Sequence, residues 1–492
     1  MGKSPHHSEV EAQTKEERDA QVLARLGKKS VLERRFGFIS ICGFSCTILV
    51  TWEGSLILFT TGLTNGGSAG LVYGYLFVWL GWLVICGWMA ILAGNGYLCG
   101  TQIEAVIQLN NASYVPQRWE GTLLFWATVL IAVLINTVVG QLLPPIEAFM
   151  LVVHVLGFFA ILVPLVYMAP QKASAHQVFT EFSNGGAWPT QGLSFFIGLI
   201  GSVFAMFGCD AAVHMSEEVS NADVTVPWSM LLTTLLNGAF GWGIVIAVLF
   251  VTVNVEAVLQ SPTGMLGFPY MQIFYQSTGS KAGATVMIAI ILVMTVCGTI
   301  ASLATSSRLI WAFARDRGLP FSRHVSKVQI GTSIPIYAVI IASSVACLIG
   351  LINLGSSAAF NDVISLSVSS LYASYIITEG FLLYRRVTGG IKPRSAINNT
   401  SEPGQLIWGP FHLPGIFGIL VNLFAVCFGI IIFVFSFFPV ATPVEAVSMN
   451  FSVLMTGSVI MFAIFYYVVW ARKEYKGPIV EISAFGSENT SL

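Results

Sequence analysis

The sequence has few charged residues. Lys, Arg, Asp and Glu make up 10% of its 492 residues and hydrophobic residues 55%, whereas soluble globular domains carry roughly a quarter charged residues. Together with a mean hydropathy of +0.78, this composition excludes a water-soluble globular protein and predicts a chain that contacts a lipid bilayer. The formal net charge of -1 gives no reason to expect a nucleic-acid partner.

Signatures of enzymes, cofactors and disulfides are also missing. The chain contains no Walker-type phosphate loop, no nucleophile elbow and no His/Cys spacing typical of a metal site. Its eight cysteines lie in or beside apolar segments without a CxxC pair, which favours buried free thiols over a disulfide framework. We therefore expect neither an enzyme nor a protein that uses ATP, a metal or another cofactor.

Long apolar segments make up most of the chain. A membrane-spanning helix needs about 20 largely apolar residues, and the segments between the candidates are too short for a soluble domain. We predict one polytopic helical domain over residues 36–471, between polar tails at 1–35 and 472–492, and the first tail lacks the apolar core of a signal peptide. The eleven predicted spans are 36–63, 69–98, 122–142, 147–168, 193–215, 230–254, 283–305, 334–354, 358–384, 413–439 and 447–471.

Basic residues predict the topology, because cytosolic loops of membrane proteins are enriched in Lys and Arg. Eight lie in the N-terminal tail 1–35, five in loop 306–333, four in loop 385–412 and three in the C-terminal tail 472–492. We therefore expect both tails and both loops in the cytosol. However, seven predicted spans separate the N-terminal tail from loop 306–333, and an odd number of spans cannot join two segments on the same side.

The sequence Asn111-Ala112-Ser113 helps to locate this conflict. It is a potential glycosylation acceptor, and it lies in loop 99–121, which contains one basic residue. Both features favour an extracellular position for this loop. The conflict in the span count then lies between residues 36 and 98.

Two predicted spans contain a carboxylate next to glycine and a small polar residue. One site is the run "TWEGS" at residues 51–55, and the other is "FGCD" at 207–210. Glycine tolerates unwinding of a helix, and the freed backbone groups need a polar ligand or cavity inside a membrane. Interrupted helices at corresponding places in two halves indicate an inverted-repeat transporter that binds its substrate at mid-membrane. The alternative is that the glycines only permit close helix packing.

Other ionisable residues in or near the spans have competing interpretations. His154 is either a packed, hydrogen-bonded residue or a proton-coupling group, since the pKa of histidine lies near physiological pH. Glu217 and Glu218 are expected where a helix meets water, as solvated or capping residues. Glu379 either extends its carboxylate to the membrane surface or pairs with a basic residue at 385–386.

Three long motifs carry a family resemblance. The segments "TWEGSLILFTTGLTNGGSAGLVYG" (51–74), "FGCDAAVHMSEEVSNADVTVP" (207–227) and "ATSSRLIWAFARDRGLP" (304–320) resemble fungal permeases of the amino acid–polyamine–organocation superfamily. The branch that contains four-aminobutyrate and choline permeases is the most similar. The resemblance implies an all-α integral membrane protein with the leucine-transporter-type fold, a five-plus-five inverted repeat followed by two extra C-terminal helices.

The resemblance also implies a substrate site and proton-driven uptake. Proton-coupling candidates are His154, Asp210 and His214. The implied substrate-binding residues are Thr51, Glu53, Gly54, Ser55, Phe207, Gly208, Cys209 and Asp210.

The chain departs from the family pattern at Gly81–Trp82. Segment 69–98 resembles the start of a second helix fused to a third, with the intervening loop missing. The chain would then have about 11 spans where 12 are expected, because of either a skipped exon in the gene prediction or a real deletion. This position agrees with the conflict that the basic residues indicate.

These observations predict a monomeric secondary transporter in the plasma membrane, with the vacuolar membrane as the alternative location. It would import a small amino acid, an amine or a quaternary ammonium compound, similar to four-aminobutyrate or choline, together with protons. A transport-deficient isoform or nutrient sensor is the alternative function. A channel is disfavoured because the sequence has no repeated polar pore ring.

Overall fold

The computed structural model describes residues 35–49, 88–206, 208, 210–317, 319–329, 331–355, 357–393, 408–445 and 449–466. This part of the chain is helical, apart from turns, loops and an isolated β-bridge between Phe36 and Val219. The predicted interruption at 51–55 and the junction Gly81–Trp82 lie outside the described residues.

The described helices follow one another with short connections. The longer helices and the short helix at the second predicted interruption are α1 Phe38–Leu49, α2 Trp88–Asn110, α3 Arg118–Thr137, α4 Leu143–Met168, α5 Gln191–Ala205, α6 Ala211–His214, α7 Ala222–Val251, α8 Lys281–Arg315, α9 Ile336–Gly350, α10 Ser357–Val387, α11 Gly415–Phe435 and α12 Ser452–Tyr466. Further short helices are Ala175–Thr180, Val255–Leu259, Pro262–Met265, Pro269–Thr278, Ser322–Val325 and Ile352–Gly355, with 3-10 turns at Gly140–Leu142 and Ser216–Glu218.

Length and composition of the helices agree with an integral membrane protein. In the described ranges, seven helices are long and apolar enough to cross a membrane: Arg118–Thr137, Gly140–Met168, Ala222–Val251, Lys281–Arg315, Ile336–Gly355, Ser365–Val387 and Gly415–Phe435. Helices α1 and α5 are shorter and apolar, and each is followed directly by a predicted interruption. The structure is therefore all-α, as the sequence predicts.

Two predicted spans end too early, and the span predicted to begin at residue 230 begins at Ala222 in α7. Helix α2 continues to Asn110, past the predicted end at residue 98, and α8 continues to Arg315, past the predicted end at residue 305. Both extensions contain polar residues that pack inside the bundle. Gln102 and Glu104 of α2 and Ser306, Ser307 and Arg308 of α8 are buried, so helix packing rather than lipid contact stabilises these turns.

Helices α1 and α2 run in the same direction. Phe36, just before α1, pairs with Val219, and Arg315 at the end of α8 forms an ion pair with Glu217. We call the end of the bundle where these residues lie the basic end.

Helix α2 packs antiparallel to α8, since Asn95 donates to Ser302 over 3.0 Å and Asn110 donates to Thr285 over 2.9 Å. Because α8 ends at the basic end, α2 starts on that side, as α1 does. The residues that connect α1 to α2, at 50–87, lie outside the described residues, so the conflict in the span count stays a prediction.

The directions of the described helices agree with the inverted repeat that the resemblance implies. The start of α3 contacts the residues after α9 at the end of the bundle opposite the basic end, where Arg118 donates to the carbonyl oxygen of Gly355 over 2.8 Å. Helix α4 begins beside Ile334 at the basic end, and α10 returns to that end with Arg385 and Arg386. Thus α1 to α4 run opposite to their counterparts α5, α8, α9 and α10. Helices α11 and α12 follow as the extra C-terminal pair.

Candidate functional site

A break in the backbone separates α5 from α6. Helix α5 ends at Ala205 and α6 begins at Ala211, and between them Gly208 has a φ of +102°, a left-handed conformation that residues with a side chain rarely adopt. A Cβ atom at Gly208 would also collide with the side chain of Ile48. Glycine is therefore required twice here, for the backbone conformation and for the close approach of α1.

This close approach places the end of α1 against the break. Ile48 is 4% exposed and belongs to the last turn of α1 before the predicted interruption at 51–55. The last described turn of α1, in the first half of the chain, therefore lies beside the unwound segment between α5 and α6, in the second half. The structure brings Gly208 and Asp210 of the predicted site together with α1.

Asp210 is the buried acid at this break. It is 1% exposed, and its Oδ2 atom accepts a hydrogen bond from the indole nitrogen of Trp88 over 3.0 Å. The Nε2 atom of His214, one turn along, lies 3.1 Å from the same oxygen. The other oxygen, Oδ1, is buried and has no hydrogen-bond partner among the described residues.

Trp88 connects this carboxylate to α8. It is the first residue of α2 and is 1% exposed, and its carbonyl oxygen accepts a hydrogen bond from the Ser306 hydroxyl over 3.1 Å. Its ring also meets the His214 ring edge to face, with centroids 6.0 Å apart and an angle of 83° between the planes. Two turns further along α2, Asn95 donates to Ser302. A line of buried polar contacts therefore runs from the break between α5 and α6 along the α2–α8 interface.

The proton-coupling candidates do not form one cluster. His214 contacts Asp210 directly, whereas His154 lies on α4, fully buried, with its ring stacked on Phe240 of α7 at 6.0 Å between centroids. This environment agrees with the interpretation of His154 as a packed residue.

Six of the predicted substrate-binding residues cannot be placed. They are Thr51, Glu53, Gly54, Ser55, Phe207 and Cys209, and all lie outside the described residues.

The sequence analysis missed the buried carboxyl group of Glu147. This residue lies in the first turns of α4 and is 1% exposed, and neither carboxyl oxygen has a hydrogen-bond partner in the described ranges. Thr47 of α1 and Cys297 of α8 lie near this carboxyl group, and the Thr47 hydroxyl donates to the Gly43 carbonyl over 2.8 Å. The Glu147 carbonyl also approaches Gly43 of α1. An acid two residues after Pro144-Pro145, at the start of an apolar run, was the available signal.

The interpretation of Glu217 and Glu218 as solvated or capping residues is wrong. Glu218 accepts a hydrogen bond from Arg308 Nε over 2.8 Å, and the two side chains are 8% and 6% exposed. Glu217 pairs with Arg315 over 3.0 Å. The reason is that α8 extends to Arg315, so basic residues that the sequence assigned to a loop lie beside the segment after α6.

Phe36, two residues before the start of α1, is hydrogen-bonded to the segment that contains Glu217 and Glu218. The Phe36 N–H donates to the Glu218 carbonyl over 3.0 Å, and the Ser220 N–H donates to the Phe36 carbonyl over 3.2 Å. The start of α1, the segment after α6 and the end of α8 are therefore joined at the basic end, one to two turns below the break.

Glu379 follows neither interpretation completely. Its Oε2 atom accepts a hydrogen bond of 2.6 Å from Asn422 of α11. The carboxyl group therefore joins α10 to α11, and it lies away from the break between α5 and α6.

Comparison with known proteins identifies the family. The sequence model of the amino acid permease family matches residues 36–462. The choline transporter of Saccharomyces cerevisiae is 28% identical over 90% of this chain and 83% of its own length. An uncharacterised amino-acid permease of Schizosaccharomyces pombe is 25% identical over 97% and 92% of the two chains, and the amino-acid permease BAT1 of Arabidopsis thaliana is 25% identical over 94% and 96%.

The family match covers the inverted repeat and both helices after it, and the relatives match along most of their length. The broken helix, the buried acid beside it and the helix directions all agree with this match. The chain therefore belongs to the amino acid permease family of the amino acid–polyamine–organocation superfamily, and it is an integral membrane transporter rather than an enzyme.

Proposed function

We propose that this transporter imports a small amino acid, an amine or a quaternary ammonium compound together with protons. One observation carries the proposal: Asp210, a buried acid, lies at the break beside the end of α1 and keeps one carboxylate oxygen without a partner among the described residues. Ionisable residues inside a membrane protein mark substrate or ion paths, because burying them without a function is costly. The names of the relatives support the same substrate class.

The substrate would lie between the two interruptions. Gly208 and Asp210 form one wall, and the chain after Ile48 continues into the predicted run of Thr51, Glu53, Gly54 and Ser55. Unwound segments expose backbone polar groups that can bind the ends of a zwitterion or an amine. We propose that these residues, with Phe207 and Cys209, complete the site.

Proton coupling would use the Asp210–His214 pair. The 3.1 Å contact between Nε2 and Oδ2 allows a proton to move between a carboxylate and an imidazole, and imidazole titrates near physiological pH. His154, stacked on Phe240, and the carboxyl group of Glu147 are the other buried titratable candidates on α4. Each can be tested by its effect on the pH dependence of uptake.

The basic end would face the cytosol. It carries Arg308 and Arg315 and the start of α1, and both polar tails at 1–35 and 472–492 are rich in Lys and Arg, as expected for cytosolic segments. Import would then proceed from the opposite end toward the basic end. We propose the plasma membrane as the location and the monomer as the working unit, with residues 36–471 as the transport domain.

A transport-deficient isoform or nutrient sensor is the second candidate function. It is supported by the predicted fusion of two spans in segment 69–98, at the junction Gly81–Trp82. A transporter that lacks most of one helix of the repeat could keep the fold and lose transport. Uptake by the chain as it stands separates the two candidates.

The test is uptake of radiolabelled four-aminobutyrate, choline and a panel of amino acids by yeast that lacks its own carriers for them. The chain would carry a fluorescent tag so that only correctly localised protein is compared. We expect uptake that rises as the external pH falls, and a loss of uptake in Asp210→Asn. Glu379→Gln is the matched control, since it makes the same chemical change at the α10–α11 contact. If Asp210→Asn keeps both uptake and its pH dependence, the role of this residue is wrong.

A further inference from the structure

The two oxygens of the Asp210 carboxylate have different environments. Oδ2 contacts two polar groups, the indole N–H of Trp88 at 3.0 Å and His214 Nε2 at 3.1 Å. Oδ1 has no hydrogen-bond partner among the described residues. The two partners are themselves enclosed, since Trp88 is 1% exposed and the His214 side chain is 9% exposed. They hold the carboxylate in one orientation and leave Oδ1 buried without a partner among the described residues.

The hydroxyl groups of Ser306, which contacts Trp88, and of its neighbour Ser307 already donate hydrogen bonds. The Ser306 hydroxyl donates to the Trp88 carbonyl, and the neighbouring Ser307 hydroxyl donates to the Ala304 carbonyl over 2.8 Å. A buried polar atom without a partner is unfavourable, and the great majority of such atoms in proteins are satisfied. A donor that arrives with the substrate would satisfy Oδ1.

The chemistry of the acceptor selects the donor. A carboxylate oxygen accepts a hydrogen bond from an N–H group, which a protonated primary, secondary or tertiary amine provides and a quaternary ammonium group does not. Quaternary ammonium sites instead use the faces of several aromatic rings. The aromatic rings that contact Asp210 in the described part of the chain are Trp88 and His214, and they meet each other edge to face, which occupies part of this surface.

We propose that Oδ1 of Asp210 accepts a hydrogen bond from the protonated amine of the substrate, so that this carrier selects amines with at least one N–H over quaternary ammonium compounds. The inference rests on the proposed transport function and narrows its substrate class. Asp210 is then a specificity-determining residue, and Trp88 and His214 position it.

Matched pairs of compounds test the proposal. Choline and N,N-dimethylaminoethanol have the same charge below pH 8 and differ by one methyl group in place of the N–H, as do glycine betaine and N,N-dimethylglycine. Each would compete with a labelled substrate for uptake by localised wild-type protein. A hydrogen bond to a charged group distinguishes such partners by about tenfold or more. For each pair that competes with the labelled substrate, we expect the N–H compound to inhibit uptake at a concentration at least about tenfold lower than its quaternary partner does.

Variants separate this hydrogen bond from general effects of the substitution. For Asp210→Asn, competition for binding of labelled substrate to the purified protein replaces uptake as the readout, and the preference for the N–H compound should fall to about twofold or less, whereas Glu379→Gln should keep it in both assays. A preference for the quaternary compound, or equal inhibition by both, in wild-type protein overturns the inference and leaves the transport function intact. Absence of uptake of any amine or amino acid by localised wild-type protein overturns the proposed function itself, and the inference with it.

Discussion

The indole nitrogen of Trp88 lies 3.0 Å from Oδ2 of Asp210. This hydrogen bond joins the first residue of α2 to the break between α5 and α6, two elements that are 122 residues apart in sequence. Both residues are 1% exposed, so water does not compete for the bond. The position of the Asp210 carboxylate therefore depends on α2 as well as on its own segment.

Removing the indole N–H should impair transport. We expect Trp88→Phe to keep the aromatic packing and to lower the apparent affinity for substrate by about tenfold, since hydrogen bonds to charged groups contribute about 1.5–3 kcal/mol. Uptake kinetics in localised protein measure this. Trp119→Phe is the control, because Trp119 is 56% exposed. An unchanged affinity in Trp88→Phe would show that the bond does not position Asp210.

The close approach at Gly208 can be separated from its backbone conformation. Gly208→Ala should lose about 1–2 kcal/mol from the left-handed φ and a further 1–3 kcal/mol from the collision with Ile48. Gly267 also has a positive φ, of +93°, but no atom lies within 4 Å of an added Cβ there. Gly267→Ala should therefore lose only the free energy that the left-handed φ costs. Thermal unfolding of the two purified variants gives the comparison. Equal destabilisation would mean that α1 does not press on the break.

The buried ion pair at the basic end should be important for stability. Removing one partner of a buried pair typically costs about 3–5 kcal/mol, because a charge is left without compensation. We expect Arg308→Ala and Glu218→Ala each to lower the unfolding temperature strongly, and Arg308→Met combined with Glu218→Leu to recover most of the loss.

The exposed Arg323 provides the control for this pair. Arg323→Ala should have little effect on unfolding, since exposed charges contribute little to stability. If the single variants Arg308→Ala and Glu218→Ala also unfold like the wild type, the pair does not join α8 to the segment after α6.

Glu104 should make stability depend on pH. It lies on α2 beyond the predicted span 69–98 and is 6% exposed. Its pKa is raised from an ordinary value of 4.5 to about 7, mainly by burial and also by the charge of Glu120, although a hydrogen bond from the backbone N–H of Gly121 acts in the opposite direction. Between these two pKa values the unfolded chain is ionised and the folded protein holds the proton, so the unfolded state binds fewer protons and stability falls as pH rises.

The measurement is thermal unfolding of purified protein between pH 5 and pH 8. We expect the wild type to lose stability over this interval and Glu104→Gln to lose less, so that the difference between them is greatest at pH 8. Glu256→Gln, at an exposed position, should follow the wild type. A Glu104→Gln variant with the pH profile of the wild type would show that this carboxyl group is already ionised at pH 5.

Much of the architecture follows from the sequence because hydropathy reports lipid contact. The predicted spans that became α3, α4, α9, α10 and α11 lie within about five residues of the observed helices, whereas α7 begins at Ala222 and not at the predicted residue 230. The basic residues predict a conflict in the span count before α2. The boundaries that failed are those where polar residues pack against other helices. Gln102, Glu104 and Arg308 reduce the hydropathy of α2 and α8, although each is buried.

The candidate site was only partly predictable. Glycine next to a carboxylate marked Gly208 and Asp210, because backbone freedom and membrane burial both act locally in sequence. Trp88 carried no such signal, since a tryptophan in an apolar run is expected from composition alone. Its role depends on the packing of α2 against α6 and α8. The burial of Glu147 likewise depends on the contact of α4 with α1.

The central claim is that this chain moves an amine or amino acid through a site at Asp210. The most direct test is uptake by proteoliposomes that contain the purified protein, with an imposed pH gradient that is acidic outside. The account predicts gradient-driven accumulation of substrate by the wild type and by Glu379→Gln, and none by folded Asp210→Asn. Accumulation by Asp210→Asn equal to that of the wild type, or no accumulation by the folded wild type, would contradict it.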